Sequence, residues 1–579
     1  MTSTWTSGPA RPCALRAGYE RVSAWAEVLD RINVFPIADG DTGRNLVMSL
    51  APLLDASPPA GAVVERLLMS ARGNSGNIAV EFVRKLVEPP EDLGPAARFA
   101  AGAIAARKAV RDPQPGTMLT TLDALASAAA QGLEPNDVER VLSDVTAAVE
   151  ATAHGLPALR AAGVVDSGSL GIFLFVEGLL CSAFGLDASP SLAARFRALS
   201  RFSRDGAGPR TGCCIDVVLR PAAGSTPDPE TLGAIGSDAI TLREGGLYKV
   251  HLHADSEGAA RAALGRLGEV VGYSWDDLGE QVSLVPLVAP EGAVHVVTDG
   301  AASLSRRDAE ALGVTLLDSY VNLGDRSLPE TRIAPEDVYA AMRTGLRVTT
   351  SQASTFERRQ HYERLAAQYE QLLYLCVGSA FTGIAPFASA WAAEHAPDAH
   401  VIVLDSGAAS GRLAIVVRAV ARKAQAGAGL PDLAGFARAA LERAEEYIFL
   451  DKLEYLARGG RVGKAGAFFA DMLGVAPVVT PMPDGVHKLA LVRKLEDKIA
   501  YACGRLSRAL APSAGRGGVL LQYTDNRDWL QRALVPRVRD LFPHAECVTG
   551  PMSLTSGAHM GPGTWSIAVL ADDARLAQG

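Results

Sequence analysis

Through the first third of the chain, apolar residues recur at helical spacing, in the runs Val64–Leu68, Ala79–Leu86, Leu119–Ala129, Val138–Ala151 and Gly171–Leu180. A three-to-four-residue period marks helices that turn one face to a core. Few alternating segments interrupt it, so Tyr19–Leu186 reads as a mainly helical bundle. After a Ser/Arg/Gly-rich stretch, Ser200–Gly212, the pattern changes: Cys214–Leu219 and Leu247–His253 read as strands, with a helix at Ala259–Leu267. Beyond Val288–Gly292 a buried-type strand, Ala293–Val297, opens a third region. There the apolar runs Leu372–Val377, His400–Leu404, Gly518–Gln522 and Ser566–Leu570 alternate with helical segments Pro335–Arg343, Thr355–Tyr369, Ala385–His395, Gly411–Ala424 and Leu433–Glu446. Such alternation predicts an α/β fold with a largely parallel sheet. Three domains are expected, at 1–199, 205–287 and 292–579.

Composition agrees with several cores. The 579 residues are 48% hydrophobic and 21% charged, which excludes a largely disordered chain and makes a single compact domain improbable. A formal net charge of −8 argues against broad nucleic-acid binding through a basic surface. The 7 cysteines are odd in number and scattered, unlike a secreted disulfide framework, so a cytoplasmic address is expected. Met1–Arg16 lacks the pattern of a signal peptide, and Gly171–Phe184, interrupted by Glu177, falls short of a spanning helix. No transmembrane segment is therefore expected.

The sharpest local feature is Asn33-Val-Phe-Pro-Ile-Ala-Asp39-Gly40-Asp41-Thr42-Gly43-Arg44-Asn45. Two carboxylates two residues apart on a Gly-containing turn can face one site and bind a hard cation such as magnesium. The plainer reading is an Asx-rich turn capping a helix that begins near Arg44. Ala71-Arg72-Gly73-Asn74-Ser75-Gly76-Asn77 leads into a helix, and small residues there permit backbone N–H groups to approach phosphate. Pro115-Gly116-Thr117-Met118-Leu119 and Ala162-Gly163-Val164-Val165-Asp166-Ser167-Gly168 place polar residues and glycine at two further helix starts, where each would also serve as a simple cap.

In order, these four motifs closely resemble the ATP-binding domain of the dihydroxyacetone-kinase superfamily (DhaL-like), in the form found in bacterial fatty-acid kinases. The resemblance covers about Tyr19–Leu186. It implies an all-α helical barrel in which Asp39 and Asp41, with Asn33, hold two magnesium ions bridging the ATP phosphates. Gly73, Asn74, Ser75 and Gly76, together with Thr117 and Met118, would line the nucleotide site, with Asp166 nearby and Asp39 and Asp41 as the catalytic pair. Arg44 stands where the family commonly has a small residue.

In the middle region, Lys249-Val-His251-Leu-His253 puts two imidazoles on one face of a strand. With Cys213 or Cys214 they form a set that suits zinc, the alternative being an exposed strand face with solvated histidines. The same resemblance extends weakly into this small α/β domain and selects Cys214 with His251 and His253 as the zinc ligands.

Further on, hydroxyl-rich loops follow predicted strands at Arg347–Ser354 and Val377–Gly383, where open α/β sheets bind ligands, although caps would explain each. Together with Leu453–Gly463 and Gly557–Gly563, the region Val294–Leu570 resembles the DegV family of fatty-acid-binding proteins, partners of fatty-acid kinase. That implies a C-terminal α/β fold of two subdomains enclosing an acyl chain. Thr350 or Ser351, Ser379 or Thr382, and His559 would contact the carboxylate, and Arg461 would shape the head-group region. Departures from the family pattern fall at Gly300–Ser303, Ala353, Gly378 and Ala476.

The two resemblances together imply a multidomain, ATP-dependent fatty-acid kinase that forms an acyl phosphate from a fatty acid held in its own DegV-like domain. Expected partners are ATP with Mg2+, a fatty acid and Zn2+. A homo-oligomer through the kinase domain and transient contact with a membrane-bound acyltransferase are also implied. The alternatives are a lipid-binding or regulatory protein with a weak or inactive kinase domain, and a kinase of a small polyol.

Overall fold

The structure, a computed structural model, describes residues 10–35, 40–55, 59–88, 93–188, 192, 195–196, 212–222, 227, 229–244, 246–277, 294–396, 400–458 and 477–572. The chain forms two compact units. Met1–Val285 and Thr355–Arg364 make the first, and Pro286–Ser354 with Leu365–Gly579 the second.

The described part of the first unit begins with nine α-helices: α1 (Ala10–Arg31), α2 (Thr42–Leu50), α3 (Ala60–Ser70), α4 (Gly73–Val87), α5 (Pro95–Ala109), α6 (Met118–Ala130), α7 (Val138–Gly155), α8 (Pro157–Ala162) and α9 (Ser167–Phe184). Helix α8 ends at Gly163 and α9 at Gly185, both left-handed, the conformation that glycine adopts without steric penalty. α9 is apolar all round, and Ser167–Cys181 are buried throughout. Its length and composition would suffice to cross a membrane, yet 83% of it is buried inside the protein. Glycines let α1 approach it. A Cβ at Gly18 would lie 2.7 Å from the Phe175 carbonyl oxygen, and one at Gly178 would lie 2.6 Å from that of Ala17. Glu177, the residue that interrupts the apolar run, pairs with Arg21 of α1 at 2.7 Å, both side chains almost wholly buried.

A four-stranded antiparallel sheet follows, with order β2-β3-β1-β4: β1 (Cys213–Pro221), β2 (Ser237–Glu244), β3 (Leu247–Ala254) and β4 (Gly268–Asp277). Helices α10 (Pro229–Gly233) and α11 (Glu257–Gly265) accompany it. Only β1 and β3 were expected as strands. β2 and β4 form the two edges, so neither needs the continuous apolar run that marks a central strand. One face of β1, with Cys213, Ile215, Val217 and Leu219, packs with Ala260 and Leu264 of α11. The opposite face carries Cys214 and Asp216, also buried.

Among its described residues the second unit holds three sheets. β5 (His295–Asp299), β6 (Val314–Leu317), β10 (Leu372–Cys376) and β11 (Val401–Asp405) form a parallel sheet of order β11-β10-β5-β6. β7 (Tyr320–Leu323), β8 (Arg326–Pro329) and β9 (Val348–Ser351) make a small antiparallel sheet. The third contains β12 (Glu445–Phe449), β13 (Pro477–Met482), β14 (Gly485–Leu491), β15 (Gly517–Tyr523), β16 (Ala545–Pro551) and β17 (Trp565–Ala571), in the order β14-β13-β12-β17-β15-β16. The expected parallel character holds for the first sheet. The third is antiparallel apart from the β15–β16 pair. Helices Ser410–Gln425 and Leu430–Arg443 lie in a core shared by these two larger sheets, which contribute Val296, Leu375, Leu520 and Ala568 among others. The C-terminal region is thus an α/β fold of two sheet-based halves. Helix Leu430–Arg443 stops before Glu446, which was expected to end it and instead lies in β12.

Two of the buried carboxyls in this unit, Glu446 and Glu330, titrate far above their ordinary range. Glu446 accepts the N–H groups of Gly411 and Arg412 and the hydroxyl of Ser566, at 2.9–3.1 Å. Glu330 accepts the Thr555 N–H at 2.9 Å. Burial raises Glu446 to about 7 and Glu330 to about 8. Both keep their protons in the folded chain at pH values where the unfolded chain has lost them, so stability falls as pH rises through this window. The thermal midpoint should drop between pH 5 and 8, and Glu330→Gln, which retains an acceptor for Thr555, should flatten the drop. Equal slopes for variant and wild type would refute this assignment.

Candidate nucleotide, metal and ligand sites

In the helical unit the four motifs meet at the first turns of four helices. Asp41 occupies the N-cap position of α2 but makes no side-chain cap bond, contrary to the plainer reading of that turn. The cap comes from Asp30 at the end of α1, whose Oδ1 accepts the Arg44 N–H at 3.0 Å. Asp41 and Asn33 are both buried, 8% and 5% exposed. Asp39 lies outside the described residues. The motif's glycines have distinct causes: Gly40 is at φ +68°, and a Cβ at Gly43 would lie 2.7 Å from the carbonyl carbon of Ala26 in α1.

Thr42 and Ser167 hydroxyls meet at 2.9 Å, joining the starts of α2 and α9. Asp166 caps α9, accepting the Ser169 N–H at 2.7 Å, and it also accepts from the backbone of Met118 at the start of α6. Burial raises the Asp166 carboxyl despite those two N–H groups. Thr117 is turned back onto its own loop, its hydroxyl donating to the Gln114 carbonyl at 2.8 Å. The start of α4 abuts α2, because a Cβ at Gly73 would lie 2.7 Å from Cγ of Asn45, and one at Gly76 3.0 Å from the Asn45 carbonyl oxygen. Gly73 and Gly76 therefore serve helix packing. The expectation that Gly73 offers its N–H to phosphate is corrected: that N–H is donated to Asp216 of β1 at 3.0 Å. Asn74 and Ser75 are half-buried.

The middle sheet sets its histidines beside the cysteine through register. Cys214 pairs with His253, and Asp216 with His251, across β1 and β3. Cys214, His251 and His253 are buried, and one ligand atom from each falls within 4.8 Å of the others. Cys214 Sγ lies 3.9 Å from His251 Nδ1. His251 Nε2 is buried without a hydrogen-bond partner. His253 Nδ1 is 3.1 Å from Asp238, and His251 Nδ1 is 3.3 Å from Asp216. Imidazoles oriented by carboxylates, beside a thiol, are the donor set and outer-shell pattern of a zinc site. Burial raises the Asp216 carboxyl, but Lys249, His251 and the Gly73 N–H more than offset this and hold it well below the usual range.

In the second unit a cleft of about 740 Å3, counted out to its open mouth, lies where the loops after β9 and β10 meet helix Leu554–Met560. Its lining includes the apolar residues Val377, Phe381, Ile448, Leu456, Val486 and Met560 and the polar residues Thr350, Ser351, Thr382, Ser410, Ser556 and His559. Thr350 Oγ1 and His559 Nε2 are 3.1 Å apart. Of the paired alternatives, Thr350 and Ser351 both line the cleft, as does Thr382. Ser379 does not: it is exposed and tied through its hydroxyl to Asp405. Arg461 lies outside the described residues. Asp299 acts beneath the site, accepting the Tyr374 hydroxyl at 2.6 Å and the Val377 N–H at 2.7 Å. Sequence reasoning missed Ser410 and Ser556. Ser410 is held at φ +53°, an uncommon conformation for a residue with a side chain. Its signal in the sequence was a hydroxyl in a small-residue turn before a helix, the same one that marked Thr382.

Together these features define a two-part protein, a helical unit that carries an antiparallel sheet and an α/β unit with an amphipathic cleft. Residues 36–181 match the DAK2 domain, and residues 293–572 match the DegV family of uncharacterised proteins. DegV domain-containing protein SCO2569 of Streptomyces coelicolor is 31% identical over 281 residues, 48% of this chain and 98% of its own length. Through its C-terminal half the chain belongs to the DegV family. Protein YloV of Bacillus subtilis is 30% identical over 301 residues, 46% of this chain and 54% of that protein, so the chain spans about half of that relative's length. Among solved structures, a fatty-acid-binding DegV family protein from Thermus thermophilus is 23% identical, with a TM-score of 0.44, over 48% of this chain and 99% of its own. The fatty acid kinase B3 protein of Streptococcus pneumoniae, loaded with linoleic acid, is 16% identical, with a TM-score of 0.41, over 48% of this chain and 100% of its own.

The close approach at Gly43 makes a direct prediction. Gly43→Ala places a methyl group into the α1 backbone and should lower unfolding stability by about 1–3 kcal/mol, seen as a lower urea midpoint. An unchanged midpoint would contradict the packing described.

Proposed function

We propose that the chain is an ATP-dependent fatty-acid kinase that forms an acyl phosphate from a fatty acid carried in its own DegV domain. The observation that carries this reading is the meeting of the first turns of α2, α6 and α9, through the Thr42–Ser167 and Met118–Asp166 contacts, next to the buried Asp41. Helix N-termini carry partial positive charge, which favours a polyphosphate. Asp41 and Asn33, with Asp39, are hard oxygen donors suited to magnesium, and bound magnesium neutralises phosphate charge. Asp41 orients the nucleotide through that charge, while Asp166 and Thr42 hold the surrounding turns.

The amphipathic cleft suits a ligand with an apolar body and an anionic head. Thr350, Ser351, Thr382 and His559 receive the carboxylate, and the apolar lining receives the chain. A fatty-acid carboxylate is ionised at neutral pH, so it needs no general base to attack the γ-phosphate. Catalysis rests on alignment and charge neutralisation. Tethering carrier and kinase in one polypeptide raises their effective concentration to about the millimolar range. Cys214, His251 and His253 are assigned as zinc ligands in the same reading, and a cytoplasmic, oligomeric enzyme goes with it.

Purified protein incubated with ATP, magnesium and a panel of fatty acids should yield hydroxamate when hydroxylamine traps the acyl phosphate. Asp41→Ala should reduce that yield to about 1% or less. Undiminished turnover in this variant would overturn the magnesium assignment, and no hydroxamate despite co-purified lipid would favour a lipid-binding protein without kinase activity. Metal analysis should find close to one zinc per chain, lost in a His251→Ala/His253→Ala variant; equal zinc in both would reject these ligands.

A further inference from the structure

The face of β1 that bears Cys214 bears Asp216 two residues on, and this carboxylate has partners on both sides. Toward the sheet, Asp216 Oδ1 lies 3.3 Å from His251 Nδ1 and 3.5 Å from Lys249 Nζ. Toward the helices, Oδ2 accepts the Gly73 N–H at 3.0 Å and Oδ1 accepts from Asn77 Nδ2 at 3.1 Å. Asp216, Lys249 and Asn77 are buried, at 6%, 3% and 0% exposure. A charge this far from water is retained only where its partners are fixed, and removing one partner of such a set is costly. A second link runs parallel to it: Arg44 of α2 stands 3.5 Å from Asp276, which pairs with Cys214 across β1 and β4.

We infer that Asp216 is a positioning residue that couples the Cys214, His251 and His253 cluster to the first turn of α4. His251 belongs to both groups. Its ring is one of three clustered donors, and its Nδ1 faces the carboxylate that holds Gly73 and Asn77. A metal on the cluster fixes the rings, the ring at 251 fixes the carboxylate, and the carboxylate fixes the helix start. Gly73 in turn touches Asn45 of the Asp41 motif, so the order of this turn bears on the proposed nucleotide site. The inference rests on the zinc and nucleotide readings above for its consequences, but the coupling itself is measurable without either activity.

The test uses the full-length protein and follows hydrogen exchange in the segment 73–77. In zinc-loaded wild type this segment should be protected, and stripping zinc with a chelator should speed its exchange about tenfold, while the first turn of α9 stays unchanged. Asp216→Asn keeps the size of the side chain but not its charge, and Asn77→Ala cuts only the helix side. Each should speed exchange in the zinc-loaded protein, and chelation should then add little, because coupled effects on one path do not add. Asn77→Ala should retain wild-type zinc content and weaken binding of Mg·ATP about tenfold. Unchanged exchange in both variants, or a chelation effect of equal size in wild type and variants, would overturn the coupling. Faster exchange in a protein that binds no ATP would uphold the coupling and sink the kinase reading instead.

Discussion

At Gly43 the backbone of α2 lies against α1 with room for a hydrogen and nothing larger. The rest of the helical unit follows from that approach. It brings the Asp41 turn within reach of Asp30, whose carboxylate caps α2 through the Arg44 N–H. Helix α2 then presents Asn45 and the Ser49 hydroxyl to the start of α4, where Arg72 donates its N–H to Ser49 Oγ at 2.9 Å. At the other end α1 lies close against α9 at Gly18 and Gly178, with the Arg21–Glu177 pair buried between them. Close backbone approaches at Gly18, Gly43 and Gly178 place the helices, and short polar side chains such as Thr42, Ser167 and Asp166 join their first turns.

The cleft in the second unit is built differently. Hydroxyls near the ends of strands and the starts of helices line it together with apolar residues such as Val377, Ile448 and Val486. Buried polar residues beneath it fix the loops: Asp299 holds the exit of β10, and Ser303 holds Ser553 at the start of the helix that carries His559, the hydroxyl accepting at 2.9 Å. Loops fixed in this way keep hydroxyls in place before any ligand arrives, which lowers the ordering entropy lost on binding.

Much of this was legible in the chain. Helical periodicity marked the first region, and strand alternation picked out β1 and β3, whose apolar residues are central to their sheet. Edge strands β2 and β4 escaped because one apolar face suffices there. The motifs pointed to the right turns but not to the reasons for their residues. Gly73 and Gly76 looked like openings for phosphate; both also lie too close to α2 for a side chain, and the Gly73 N–H goes to Asp216. Ser379 and Thr382 were equivalent as sequence, and only the fold turns Thr382 to the cleft and ties Ser379 to Asp405. Asp216 entered the reading only as the acidic residue after Cys214, and nothing local pointed to its partners Gly73 and Asn77, which lie about 140 residues away.

The antiparallel sheet of the first unit is covered on both faces, by α11 on one side and by the start of α4 on the other. Such a sheet cannot be inherited or exchanged as a free-standing cassette. Recombination between residues 196 and 212 would separate Asp216 from Gly73 and Asn77, and leave the Asp216–Lys249 pair without the helix start that covers it. The helical array and its sheet therefore share one buried polar set, and a cut that parts them would open it to water.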